Sequence, residues 1–258
     1  MNQGVLSPVD IILPPGSVIN PSPEAAVCTG NALTSQRLVD VILKTFHATA
    51  GSQGCMNCLS MFGGPRPDGG WDYAYGETVC GGNGALSGSN GSGVPSQVHM
   101  TNTRSTDIET MERRYPLIMR EFSIRRRSGG RGRWTGGNGA VRVFEAREPL
   151  EFSFMSERRT IPPYGMEGGE PGERGLNLRT KKTRDGSFRT INLGPRSIFM
   201  LQPGERFIIN TPGGGGWGSA SGQESVDNVS GVNESAAKKQ YARASGSVAA
   251  RRETQEGQ

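Results

Sequence analysis

Glycine constrains this chain more than any other residue: it fills 39 of the 258 positions, and proline fills another 16. Glycine loses more conformational freedom on folding than any other residue, so such a density needs a compensating reason. The densest run is Thr211–Gly218, "TPGGGGWG", directly after the strand-like "RFIINT". It formally fits G-x-G-x-x-G, but a dinucleotide fingerprint must open a helix, and this run leads into a polar tail. The Rossmann reading fails on that ground. The glycines then let the backbone approach a ligand or another chain segment closely, or they form a hinge into the tail.

Hydrophobic residues make up 33% of the chain, enough for a core only if part of the chain stays outside it. The part set aside is residues 219–258, where Tyr241 is the sole aromatic and five basic residues balance five acidic ones. Such a segment cannot bury enough apolar surface to offset its chain entropy, and disorder is expected. The remainder, 1–218, reads as one domain in two parts. In 1–116, Leu38, Val41, Ile42, Thr45 and Phe46 recur at helical spacing, with Thr34 or Ser35 available as a cap and Gly51 as a stop. His47 falls near that helix's C-terminus, where an imidazolium suits the dipole, and it is read as structural. Residues 65–104 are glycine-rich, and Thr106 or Asp107 caps a short helix, "IETMERRYP", that Pro116 stops. From Leu117 onward, "LIMREFSIR", "AVRVFEAR", "EFSFMSERR", "LNLRT", "FRTINL", "SIFMLQ" and "RFIINT" alternate apolar and polar residues. Asp185-Gly186 and Pro203-Gly204 are expected to turn hairpins between neighbouring strands. The expected fold is α+β: a helix-containing N-terminal part with glycine-rich loops, a mostly antiparallel β barrel or sandwich over 117–218, and a disordered tail.

A net charge of +5 does not by itself imply nucleic acid or membrane. No apolar run is long enough to span a bilayer, and the N-terminus shows neither a basic leader nor a small-residue cleavage site. The cytoplasm is the default compartment. Cys55-Met56-Asn57-Cys58 forms a C-x-x-C, but Cys28 and Cys80 stand apart from each other, and no second pair completes a zinc ribbon. Glycine on both sides also disfavours a redox motif, so reduced thiols near a loop are expected.

"RRRSGGRGRW", Arg125–Trp134, is the nucleic-acid signal, with eight arginines against one glutamate between Arg113 and Arg133. Arg-Gly segments with interleaved aromatics bind single strands, and RNA or an acidic partner is the alternative function on that basis. Against it, the segment is unrepeated, carries one aromatic, and lies between strand patterns. No G-x-x-x-x-G-K-[ST] and no G-x-S-x-G occurs, and two distant histidines suit neither a triad nor a metal cage. One of those histidines lies in "VHMTNTR", Val98–Arg104, directly after a glycine–serine run. Every polar side chain there can make hydrogen bonds and none builds a core.

Taken in order, "LSPVDIILPPGSVINP", "TSQRLVDVIL", "SQGCMN", "GETVCGGNGA", "VHMTNTR", "RRYPLIMREFSIRRRSGGRGRWTGGNGAVR", "SERRTIPPYGMEGGEPGERGLNL" and "TPGGGGWG" resemble the C-terminal portion of the hydantoinase B/5-oxoprolinase family, the eukaryotic 5-oxoprolinase type above all. The resemblance covers 1–218. It implies ATP-dependent opening of a cyclic amide, 5-oxo-L-proline to L-glutamate, a reaction of glutathione metabolism. An A-type ATPase half phosphorylates the amide oxygen and the B-type half takes part in hydrolysis. ATP and a divalent metal are thus implied for the complete enzyme. The family's metal-binding motifs have no counterpart here, so no metal ligand is carried over and the chain is expected to be inactive alone. Its expected partners are the A-type half, the missing N-terminal B-type portion and a small cyclic amide. Within this resemblance His99 and Asn102 are the candidate catalytic residues, and Glu77 and Arg104 the candidate substrate-binding residues. The alternative is that they only hold the glycine loop against the helix near Asp107.

Overall fold

The alternating segments become strands because one side of each can face a shared apolar interior. The computed structural model describes residues 3–94, 103–220 and 242–243. A four-stranded sheet, in the order β2-β1-β5-β8, joins Trp71–Thr78 (β2), Cys58–Pro65 (β1), Leu150–Met155 (β5) and Arg196–Leu201 (β8). The second sheet contains Leu117–Arg125 (β3), Gly139–Ala146 (β4), Leu176–Lys182 (β6), Phe188–Asn192 (β7) and Arg206–Asn210 (β9). Its order is β7-β6-β9-β4-β3, with the two-residue bridge Ala242–Arg243 (β10) pairing parallel to β7. All other strand pairs are antiparallel. Among the described residues the helices are few: Thr34–Thr45 (α1), Ile108–Arg114 (α2) and one short turn near the N-terminus.

Both sheets are open and face each other across one core, which removes the barrel alternative. Phenylalanines from the two sheets meet there. Phe207 of β9 lies 5.5 Å from Phe152 and 5.1 Å from Phe154 of β5, and 5.2 Å from Phe199 of β8. Phe144 of β4 lies 5.8 Å from Phe152. Burying each such ring stabilises the fold by about 1.5–3 kcal/mol. The Asp185-Gly186 turn joins β6 to its partner β7, as expected. Pro203-Gly204 does not turn a hairpin. It carries the chain from β8 in one sheet to β9 in the other, because β8 pairs β5 while β9 pairs β4 and β6. The sequence reading also missed the β1–β2 hairpin, whose strands carry glycines at 63, 64 and 76. Since β1 pairs β5, strands from before and after Pro116 share one sheet.

Helix α1 departs from expectation at both ends. Leu33, not Thr34 or Ser35, is its N-cap, with no side-chain capping bond, and left-handed His47 (φ +50°) follows its end well before Gly51. His47 Nδ1 lies 2.8 Å from Glu167, so this histidine is tied to a neighbouring loop. The helix also buries the wrong side: Gln36 and Asp40 are inside, while the apolar stripe faces out. In contrast, α2 is capped as read, Asp107 accepting a hydrogen bond from the Thr110 amide at 2.9 Å.

The glycine run at 213–218 lies at the centre of a second packed region made of backbone. A Cβ on Gly213 would sit 1.9 Å from the Ser128 carbonyl oxygen, on Gly214 1.7 Å from that of Asn83, and on Gly215 1.8 Å from that of Tyr164. Backbone hydrogen bonds leave this one segment in several directions. Gly214 donates to Gly137 and accepts from Gly130, while Gly215 donates to Gly51 and accepts from Ala85. Gly216 donates to Glu170 and accepts from Met166. Of the readings left open, close approach to other chain segments is therefore the one observed. Residues 221–241 and 244–258, on which most of the expected disorder falls, lie outside the described residues.

Two outcomes follow. Gly214→Ala is expected to destabilise the chain by about 3 kcal/mol or more, since backbone must move to admit the methyl. Gly204→Ala, at φ +82° with open space around it, should cost only about 1–2 kcal/mol of left-handed strain. Denaturant melts of the two variants check the difference. The second concerns acid. Hydrogen bonds from Arg120, opposed by burial and aided by Arg206, lower the Glu145 carboxyl from the ordinary 4.5 to about 2. Below 4.5 the unfolded chain therefore binds this proton first, so the stability contributed above 4.5 is lost as pH falls toward about 2. Glu145→Gln should be less stable at neutral pH and should flatten that acid decline in thermal melts across the range.

Candidate functional site

The end of β2 and the segment leading into α2 come together at the edge of the two sheets. Thr78 and Thr103 share a hydrogen bond between their hydroxyls at 2.7 Å. Tyr75 donates its hydroxyl to Thr106 at 2.8 Å, and the Thr106 amide donates to Glu77 Oε1 at 2.8 Å. Asp107 then caps α2. The short stretch 103–107, which carries Arg104, is thereby fastened at successive positions to one strand and one helix. On the other flank of residues 95–102, the Val94 amide donates to the Asn138 carbonyl at 3.2 Å. Residues 95–102 between these anchors lie outside the described residues, and with them His99 and Asn102.

Of the other two candidates, Arg104 is exposed. Glu77 is buried, and both its carboxylate oxygens are engaged: Oε1 by Thr106 and Oε2 by Arg142 Nη1 at 2.5 Å. Arg142, on central strand β4, is fully buried, with its guanidinium carbon 5.0 Å from the Phe122 ring and 5.2 Å from that of Phe144. Its Nε and Nη2 have no hydrogen-bond partner among the described residues. The pair spans the two sheets, from β2 to β4, and ties the position of 103–107 to the core. Arg142 was passed over in the sequence because it sits inside a strand pattern, "AVRVFEAR". An arginine between two valines, Val141 and Val143, in a strand pattern that also carries Ala140 and Phe144 was the available signal.

A second polar group underlies α1. Arg158 donates to Asp40 at 2.9 Å with both side chains buried, and Tyr164 donates its hydroxyl to the Asp40 carbonyl at 2.7 Å. Arg159 bonds the side-chain oxygens of Asn57 at 2.6 Å and Asn177 at 2.9 Å. Burial lowers its pKa to about 10. The four cysteines are free. Burial raises Cys58, aided by Cys55, and Cys80 each to about 11, and pushes Cys55 up as well. These three are neutral thiols at physiological pH, poor nucleophiles and poor metal ligands as they stand.

The groups implied by the resemblance can be tested against these residues. Among the described residues no three His, Cys, Asp or Glu side chains gather where they could hold a metal ion. The glycine run is no phosphate cradle either: the amides of 213–218 all donate to backbone carbonyls, of Glu173, Gly137, Gly51, Glu170, Trp134 and Met166 in turn. The described residues therefore do not fit the metal, and this run does not fit ATP. The Arg-Gly segment is drawn into the same backbone packing. Arg125 donates to the carbonyls of Arg174 and Thr211, Arg131 pairs with Glu170, and Arg133 stacks on Trp134. No helix among the described residues is long and apolar enough to cross a membrane.

Two facing open sheets joined to a core of glycine backbone define a fold shared with known proteins. A family profile described as hydantoinase B/oxoprolinase matches residues 1–220, and the chain belongs to that family. It is 49% identical over 219 residues to the 5-oxoprolinase of Dictyostelium discoideum and 48% identical over 228 residues to that of Saccharomyces cerevisiae. Each match covers 84% of this chain but only 16% and 18% of those proteins. The fold is that of the ATP-dependent caprolactamase from Pseudomonas jessenii, with a TM-score of 0.67 at 23% identity over 85% of this chain and 40% of that one.

Glu77→Gln leaves the Arg142 guanidinium buried without a counter-charge and should destabilise by about 3–5 kcal/mol. Replacing both residues by methionine should recover much of that loss. Equilibrium unfolding of the single and double variants distinguishes an ion pair from a site that needs either residue alone.

Proposed function

We propose that this chain is part of an ATP-dependent cyclic-amide hydrolase of the 5-oxoprolinase type, acting in the cytoplasm on 5-oxo-L-proline or a closely related lactam. The observation that carries this reading is near-half identity to proteins named 5-oxoprolinase, across more than four-fifths of the chain. An unactivated lactam is a poor electrophile, and ATP, bound by the portion of the enzyme outside this chain, supplies the activation. The contribution of this chain is to hold Val94 and residues 103–107, on either side of 95–102, at fixed anchors. In the proposal Arg104 meets the substrate carboxylate or a phosphate oxygen. His99 and Asn102 orient water or donate to the developing oxyanion. Glu77 positions the segment through Thr106 and stays buried while doing so.

The isolated chain is expected to show no 5-oxoproline-dependent ATP hydrolysis, and turnover by the purified chain alone would overturn the division of labour proposed. In a complete enzyme carrying this sequence, His99→Ala should lower turnover about a hundredfold or more, with at most about 1 kcal/mol lost in stability. Parallel kinetics and thermal unfolding decide it. A variant that melts early but keeps full activity in its folded fraction makes His99 a loop anchor instead.

A further inference from the structure

We infer that the outward face of α1, with the segment before it, is the docking surface for the rest of the family's polypeptide. This rests on the reading above, that the chain is part of a larger enzyme. Leu38, Val41, Ile42 and Phe46 fall at i, i+3, i+4 and i+8, on one side of α1, and are 40%, 59%, 46% and 78% exposed. The residues this helix buries are Gln36 and Asp40, at 1% and 2% exposure. A helix on a finished surface does the reverse, turning its apolar stripe inward.

The orientation is set by specific bonds. Arg158 donates to the Asp40 carboxylate from below, Ser52 donates its amide to the same carboxylate at 3.2 Å, and Tyr164 donates to the Asp40 carbonyl. Rolling the helix to bury its stripe would strip a buried carboxylate of these partners. The stripe is therefore left facing out by construction. The chain before it continues the pattern: Ile11, Ile12 and Val18 are exposed, and residues 7–33 join neither sheet.

The length of the relatives names the occupant. The caprolactamase shares this unit yet is matched over only 40% of its chain, and the 5-oxoprolinases over less than a fifth. Every one of these proteins carries this unit together with a larger body of polypeptide. That body has to meet the unit somewhere, and a contiguous apolar helix face underlain by buried charge is suited to being covered by protein.

The test places one double substitution, Val41→Asp with Phe46→Asp, in two settings. In the isolated chain both side chains are exposed, so the melting temperature should be unchanged. In the Dictyostelium 5-oxoprolinase with this chain replacing its 219 matched residues, the same change should lower the melting temperature by several degrees and open the enzyme to protease near α1. Ile198→Asp, an exposed position on β8, should do neither and controls for lost surface hydrophobicity. A neutral result in both settings overturns the inference. So does sedimentation showing that the isolated chain is a dimer which the double substitution dissolves, since the face would then belong to a second copy. Flotation of the wild-type chain, but not the variant, with phosphatidylcholine–phosphatidylserine vesicles overturns it in favour of a lipid surface. A catalytically dead chimera that still shows the differential melting retains the docking surface while sinking the proposed reaction. An active chimera indifferent to the substitution does the opposite.

Discussion

The structure depends on backbone meeting backbone at the glycine run 213–216. Distances of about 2 Å between a notional Cβ and a neighbouring carbonyl oxygen leave no room for any side chain. The same closeness lets one extended segment hydrogen-bond to several others at once. Segments near 51, 85, 130, 137, 166 and 170 all bond to it. Each buried amide must find a partner, and here the partners are other loops, where a sheet would have used a neighbouring strand. Loops that would elsewhere be mobile connections are bound into one body. Side chains contribute little: Ala50, Ala85, Met166 and Trp217 form the small apolar cluster beside it.

Buried charge ties together elements that lie far apart in the sequence. Glu77 and Arg142 link β2 to β4. Arg158 and Asp40 link α1 to the loop after β5, and Arg179 and Glu205 link β6 to the turn before β9. Ion pairs in such places gain little net stability over apolar packing, but leaving either partner alone is severely unfavourable. They act here as registration devices, and through Thr106 the Glu77–Arg142 pair fixes the segment 103–107 that carries Arg104. The same logic turns α1 over. Its orientation answers to Asp40, and the apolar stripe is left facing outward.

Strands from Leu117 onward were legible because alternation needs only local sequence, and Asp107 was legible as a cap because capping acts within one turn. The β1–β2 hairpin was not, since its glycines resemble a loop until Leu59 and Met61 are seen paired across from Phe154 and Phe152 in one buried sheet face. Pro203-Gly204 looked like a hairpin turn because turn chemistry reports a reversal and says nothing of which sheet receives the next strand. In the candidate site, Arg104 could be named from residue type and order, and the structure finds it exposed. Arg142 was hidden, because a charged residue within a strand pattern is ordinarily on the solvent side.

By itself the sequence determined the family, the run of strands and the need for a reason behind so many glycines, all properties carried by residue order and local stereochemistry. Only the tertiary structure decided that Gly213–Gly216 face other backbone, that Glu77 is buried against Arg142, and that α1 points its apolar side outward. Each of these depends on a partner far along the chain: Asn83 for Gly214, residue 142 for Glu77, residue 158 for Asp40. Pairings of that kind are set by the balance of burial, charge and steric exclusion across the whole fold, and no local pattern encodes which distant residue will arrive.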